Sequence, residues 1–247
     1  MKLIVLGSSA VFPLPRTKTN RFEDYSFSDY ERRFPLHDDP VCNAAKAGGK
    51  DRRMRPSLAV VVNRGTILVD AGPDVREQLA RYHVSPTAIV ITHEHADAVT
   101  GLPFMRDTSV YREKDGTLKP GIPLELFGIL VTPFRVTHAV NTPTVGFRFD
   151  QAGKSFAYIS DMASIRGIEK WVRDTDILFA DGSILEKHTH GHMAIVRQLV
   201  YFKKWRLKRV VFTHIGHATL PHAELTRYLK TIYPPTDVAY DGMEITL

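Results

Sequence analysis

Cysteine is almost absent from this chain: Cys42 stands alone among 247 residues. An internal disulfide is therefore excluded, as is a cysteine-rich zinc knuckle, and a lone thiol suits a reducing compartment. Long apolar runs are also missing. No stretch reaches the length that spans a membrane, and the run Met1–Gly7 is too short for a signal-peptide core and reads as a first strand. Low-complexity tracts and short-period repeats are lacking too. These absences point to a cytoplasmic protein with no membrane partner.

What is present is ordinary globular composition, with 43% hydrophobic and 24% charged residues. The length suits one domain over residues 1–247 with a sizeable core. A formal net charge of +6 suits an anionic substrate such as a phosphate ester, and it also suits RNA. Residues 8–57 carry Pro13, Pro15, Pro35, Pro40, Pro56 and the pair Gly48-Gly49. They read as a long irregular insertion after the first strand, of the kind that is functional or mobile.

From residue 58 the pattern tightens. Leu58–Asn63 and Thr66–Asp70 read as a hairpin about Arg64-Gly65. Helices are expected at Pro73–His83, about 96–106, Ile165–Arg173, Met193–Trp205 and Pro221–Ile232, and strands at Ala88–Thr92, Ile129–Val136, Val145–Phe149, Phe156–Ile159, Ile177–Ala180 and Val210–Phe212, with two short strands at the end. Strand groups in both halves, with helices between them, are satisfied by two sheets packed face to face and covered by helices.

Four apolar runs close on residues that bind metals. They are Val90-Ile91-Thr92-His93, Phe134-Arg135-Val136-Thr137-His138, Tyr158-Ile159-Ser160-Asp161 and Val211-Phe212-Thr213-His214. Three histidines and an aspartate at sheet edges need separate hydrogen-bond partners or a common metal. The run His93-Glu94-His95-Ala96-Asp97 concentrates the chemistry: residues i and i+2 past a strand end can reach one ion, and Asp97 at the start of a helix can face a second ion or hold a water.

This run resembles the HxHxDH signature of the metallo-β-lactamase superfamily, and the resemblance extends in order to His138, Asp161 and His214, over nearly the whole chain. It implies a four-layer αββα sandwich. It implies a first metal on His93, His95 and His138, a bridging Asp161, and a second metal on Asp97, Asp161 and His214. The signature's last histidine is Ala98 here, so the second metal loses a ligand: one Zn²⁺ or Mn²⁺ ion is expected to be firm and a second conditional. Asp70, in Leu68-Val69-Asp70-Ala71-Gly72, matches a family aspartate that supports the ligands from behind, and reads equally as a turn residue before glycine.

The cluster His188-Thr189-His190-Gly191-His192 lies where the PhnP-type cyclic phosphodiesterase branch carries a catalytic histidine. The resemblance makes His192 a catalytic and substrate-binding residue able to protonate a leaving alkoxide. His190 is the second candidate, for catalysis or for the coordination gap left by Ala98. Arg52-Arg53-Met54-Arg55 resembles the same branch, and Arg55 reads either as a phosphate clamp or as part of a solvated charge run. Pro40-Val41-Cys42 keeps only a fragment of that branch's structural-zinc cysteines. The expected activity is hydrolysis of a small cyclic or nucleotide-like phosphodiester by metal-activated water, with Asp97 orienting the nucleophile. A tRNase Z-like nuclease and a non-catalytic metal- or nucleotide-binding protein are the alternatives. The expected partner is a small phosphorylated substrate rather than nucleic acid, with a homodimer as the default assembly.

Overall fold

The structure is a computed structural model, and it describes residues 1–18, 25–33, 35–189 and 191–247. The first half runs β1 (Lys2–Gly7), α1 (Phe27–Arg33), α2 (Pro40–Ala47), β2 (Ser57–Val62), β3 (Gly65–Val69), α3 (Val75–Tyr82), β4 (Ala88–Val90), α4 (Ala96–Val99) and β5 (Ser109–Tyr111). The second runs β6 (Leu124–Leu126), β7 (Ile129–Val136), β8 (Thr144–Gln151), β9 (Lys154–Tyr158), α5 (Glu169–Val172), β10 (Ile177–Asp181), α6 (Ile195–Trp205), β11 (Val210–Thr213), α7 (His222–Ile232), β12 (Thr236–Val238) and β13 (Glu244–Thr246).

Two sheets result, in the orders β13-β1-β2-β3-β4-β5 and β12-β11-β10-β9-β8-β7-β6. Side chains alternate across each strand and so build two cores per sheet. Leu58 and Val60 of β2 face the second sheet, where they meet Phe147, Phe149, Phe156 and Phe179. Ala59 between them turns the other way, with Leu68 and Ile89, onto Val75 of α3. The second sheet repeats this arrangement: Leu178, Ala180 and Phe212 face Leu199 and Phe202 of α6 and Leu225 and Leu229 of α7. The layers are therefore α/β/β/α. Among the described residues, no helix is long and apolar enough to cross a membrane.

Strand direction positions the site. β3, β4 and β5 are mutually parallel, as are β9, β10, β11 and β12. Parallel strands bring their carboxyl ends, and the residues just beyond them, to one edge, the usual location of sites in α/β folds.

Several expectations are corrected. The stretch 8–57 is not irregular throughout, because it holds α1 and α2. Asp39 caps α2, its Oδ1 accepting from the Cys42 N–H at 2.9 Å, and Pro40 follows in the first turn. An Asp-Pro pair in that position is a helix-start signal legible in the sequence. Leu14, Val41, Cys42 and Ala45 then join the core under the second sheet. The helix expected over 96–106 stops at Val99, and a separate 3₁₀ turn covers Leu102–Phe104. Gly101 lies between them against the backbone of Gly72, where a β-carbon would come within 2.2 Å of the Gly72 carbonyl oxygen. The helix expected at Ile165–Arg173 shrinks to α5. β5 and β6, three residues each, are too short to show a period in sequence.

Candidate metal centre

Beyond β4 come His93, His95 and Asp97; beyond β7, His138; beyond β9, Asp161; beyond β11, His214. The structure brings all six together. A cavity of about 330 Å³ is lined by His95, Asp97, His138, Asp161, His192 and His214. The rings of His93, His95 and His138 lie 4.6 to 5.4 Å apart, centre to centre. Asp161 Oδ1 stands between two groups, 3.6 Å from His138 Nε2 and 3.4 Å from His214 Nε2, and Asp97 Oδ2 is 3.6 Å from the same His214 nitrogen.

Hydrogen bonds behind the rings decide which nitrogen faces the cavity. His138 donates from Nδ1 to the Gly191 carbonyl at 2.7 Å, which leaves the Nε2 lone pair inward. His93 Nδ1 is 2.8 Å from Thr92 Oγ1, and that hydroxyl donates to Asp70 Oδ2 at 2.8 Å. The Thr92 N–H donates to the other Asp70 oxygen, also at 2.8 Å. Asp70 thus supports the site from behind, as one of its two sequence readings expects. It does so from a left-handed backbone (φ 61°), and Gly72 beyond it lets the chain pass under α4, where a β-carbon would sit 2.0 Å from the Asp97 carbonyl oxygen.

Several inward-facing atoms lack a hydrogen bond. His93 Nε2, His214 Nε2 and Asp161 Oδ2 are buried without one, while the other His214 nitrogen, Nδ1, lies toward Asp181, 3.9 Å from its Oδ1. Each such atom costs about 1–3 kcal/mol unless something satisfies it. Three of them among clustered imidazoles and carboxylates fit a divalent cation. The charges show the same demand. Burial opposes a charged His214, but the carboxylates of Asp161, Asp97 and Asp181 outweigh it and raise the ring to about 9. Burial likewise opposes a charged Asp161, yet the surrounding histidines, His214 foremost, hold it far below the usual carboxylate range. Ala98 is buried and its methyl group offers no donor, so the Asp97/His214 group is one side chain poorer than the His93/His95/His138 group.

His192 enters the cavity beside both groups, its ring 5.0 Å from that of His138 and 5.4 Å from that of His214. Its Nδ1 is 2.8 Å from Asp181 Oδ2, which turns Nε2 toward the cavity. Burial lowers the affinity of this ring for a proton, but the Asp181 charge and hydrogen bond prevail and hold it above its ordinary value. Asp181 is the functional residue that the sequence reading missed. It closes β10 as Asp161 follows β9, and that strand-ending pattern was the available signal. It is fully buried and fixed by the N–H groups of Met162 (2.9 Å) and Ser183 (3.0 Å), with the Ser183 hydroxyl also bonded to it. His190 lies outside the described residues.

Arg55 is elsewhere. It is 1% exposed, with Nη1 2.7 Å from Asp74 Oδ1, its own N–H donating to Asp74 Oδ2 at 2.8 Å, and Nε donating to the Val11 carbonyl at 3.2 Å. A guanidinium held this way anchors the insertion to α3 and is not among the residues that line the histidine cavity, so the phosphate-clamp expectation is corrected. Arg53 is equally buried, on Ser8, the Ala239 carbonyl and His222, while Arg52 pairs with Glu31. Cys42 is a core thiol, pushed up to about 12 by burial.

The sequence model of the β-lactamase superfamily domain matches residues 65–215. A diphosphatase of the PhnP family superposes with a TM-score of 0.78 at 28% identity, over 99% of this chain and 96% of that one. Zn²⁺-bound PqqB from Methylobacterium extorquens superposes at 0.79 with 21% identity over the whole of both chains, and human tRNase Z, short form, at 0.65 with 17% identity over 100% of this chain and 99% of that one; these two show the fold alone. An octanoyltransferase of Porphyromonas gingivalis is 26% identical over 78% of this chain. The matched part is 45% of that protein, so this chain spans under half the length of the curated relative it matches. With the domain model covering β3 to β11 and the sandwich in place, the chain belongs to the metallo-β-lactamase superfamily.

Proposed function

We propose that the protein is a metal-dependent phosphodiesterase acting on a small cyclic or nucleotide-like phosphodiester. The observation that carries this is the Asp181–His192 pair, aimed into the same cavity as the histidine and aspartate cluster. In this reading His93, His95 and His138 would hold one Zn²⁺ or Mn²⁺ ion, and Asp97, Asp161 and His214 would hold a second more weakly. His192 is the described histidine that reaches this second group. When bound, such an ion lowers the pKa of water from 15.7 to about 7 and offsets charge developing on a phosphoryl oxygen.

The chain's own residues do the rest. Asp97 orients the nucleophile. His192, whose affinity for a proton Asp181 raises, is placed to hold a proton at Nε2 for the leaving alkoxide; a positioned general acid of this kind contributes about 10²–10⁴-fold. The likeness to the PhnP-family diphosphatase supports the choice of a phosphate ester, as does the net charge of +6.

The test loads metal-free protein with Zn²⁺ or Mn²⁺ and measures hydrolysis of a cyclic phosphodiester, a thioester and a precursor tRNA. The expected result is metal-dependent turnover of the cyclic phosphodiester first. Turnover of the thioester alone, or of none of the three, would sink the proposal.

A further inference from the structure

A second cavity, of about 250 Å³, adjoins the metal centre. Pockets that enclose a drug-sized ligand run to roughly 300–1,000 Å³, so this one admits a single ring system rather than a whole substrate. Its base is Ile91 and Thr92, both almost fully buried, and Pro143 forms an exposed lip. The rim carries Glu94, Arg112 and Lys114, with Arg112 Nη1 and Lys114 Nζ each 3.6 Å from Glu94 Oε2. At that length the contacts are lateral ion pairs; Arg112 Nε is bonded to Asp115 Oδ2 at 3.0 Å, which leaves the remaining guanidinium N–H groups, Lys114 Nζ and the Glu94 carboxylate for other partners. The rim is ordered. The Arg112 N–H donates to Thr117 Oγ1 at 2.7 Å, the Thr117 hydroxyl donates to Asp115 at 2.6 Å, and the Gly116 N–H donates to the Glu113 carbonyl at 2.9 Å.

The two cavities share a wall. His93 lines the smaller one and belongs to the histidine cluster of the larger. The segment 139–143 passes between them: Ala139 lines the metal cavity, Thr142 Oγ1 approaches His95 Nε2 at 3.4 Å, and Pro143 lines the second cavity. A substrate with its phosphate among the histidines would reach this cavity across a single loop.

We propose that the cavity is a subsite for a planar heteroaromatic group, of the nucleobase class, on the non-reacting side of the substrate. The proposal rests on the phosphodiester reading above and names its substrate class. The exposed Pro143 lip offers flat apolar contact to a ring. A carboxylate acceptor between two cationic donors matches the mixed donor–acceptor edge of a base, whereas an acyl tail would desolvate that charged rim without bonding to it. Arg112 adds a planar guanidinium suited to lie against a ring.

The experiment measures binding rather than turnover. Adenosine 5′-monophosphate and ribose 5-phosphate are titrated calorimetrically into the metal-loaded full chain, its Glu94→Gln and Arg112→Gln variants and the double variant, each first checked for unchanged metal content and melting temperature. The wild type should bind the base-bearing ligand at least about tenfold more tightly, with each single variant shrinking that ratio and the double variant bringing it near one. A wild-type ratio near one, or a ratio that survives both substitutions, overturns the proposal. An intact, variant-sensitive ratio in a protein that hydrolyses no phosphodiester would support the subsite while sinking the activity.

Discussion

Two short stretches of this chain look equally chemical in sequence, and the fold treats them in opposite ways. His93–Asp97 presents imidazoles and a carboxylate to a cavity, with His93 Nε2 buried and unpartnered. Arg52–Arg55 presents guanidinium groups to the protein itself: Arg55 is closed on Asp74, and Arg53 on Ser8, Ala239 and His222. A group whose bonds are all satisfied internally holds a structure together, whereas one with a buried lone pair left over awaits a ligand. The comparison teaches that hydrogen-bond satisfaction, more than residue type or exposure, separates the two roles.

The comparison breaks most decisively at the histidines. Replacing His93 and His95 by alanine should reduce bound metal and turnover to background while the melting temperature of the metal-free protein changes little; metal analysis beside calorimetry checks both. Arg55→Ala should do the reverse. Removing one partner of a fully buried ion pair costs about 3–5 kcal/mol, read by urea unfolding, with metal stoichiometry of the folded fraction unchanged. Loss of metal in Arg55→Ala, or of stability alone in the histidine variant, would erase the distinction.

Smaller effects sharpen it. Asp181→Asn should lower kcat about 10²-fold through misplacement of His192, within the range of a single acid–base contribution, and should shift the alkaline limb of the pH–rate profile to lower pH while metal is retained. Thr92→Val removes the link from Asp70 to His93 and should weaken metal affinity by about 10–100-fold, the usual effect of losing an outer hydrogen bond, measured by chelator competition.

The smallest effect is a pH dependence of stability in the insertion's anchor. Burial, then the charges of Arg53 and Lys50, lower His222 to about 4 from 6.5. A neutral ring in the fold therefore contributes stability present above pH 6.5 and lost as pH falls through 4. His222→Gln should reduce the acid-side decline of the urea midpoint; an unchanged decline would show that other groups carry it.

The chain order and spacing of the ligand-type residues were legible because each follows an apolar strand, and strand periodicity is a local property. The α/β/β/α layering was legible for the same reason, from strand groups alternating with amphipathic helices. α1 and α2 were obscured by the prolines around them, although Asp39-Pro40 marked the start of α2. Arg55 was misplaced because an arginine run looks the same whether its partner is a phosphate or Asp74, which lies 19 residues further on.

By itself, then, the sequence determined the family, the two-sheet architecture and the six residues that meet at the candidate metal centre, since these depend on side-chain type and on alternation within single strands. Only the tertiary structure decided that Asp181 stands behind His192, that Asp70 reaches His93 through Thr92, that Arg55 is a fastener, and that a second cavity opens beside His93. Each of these depends on where one strand end lies against another, a distance the linear chain does not encode locally.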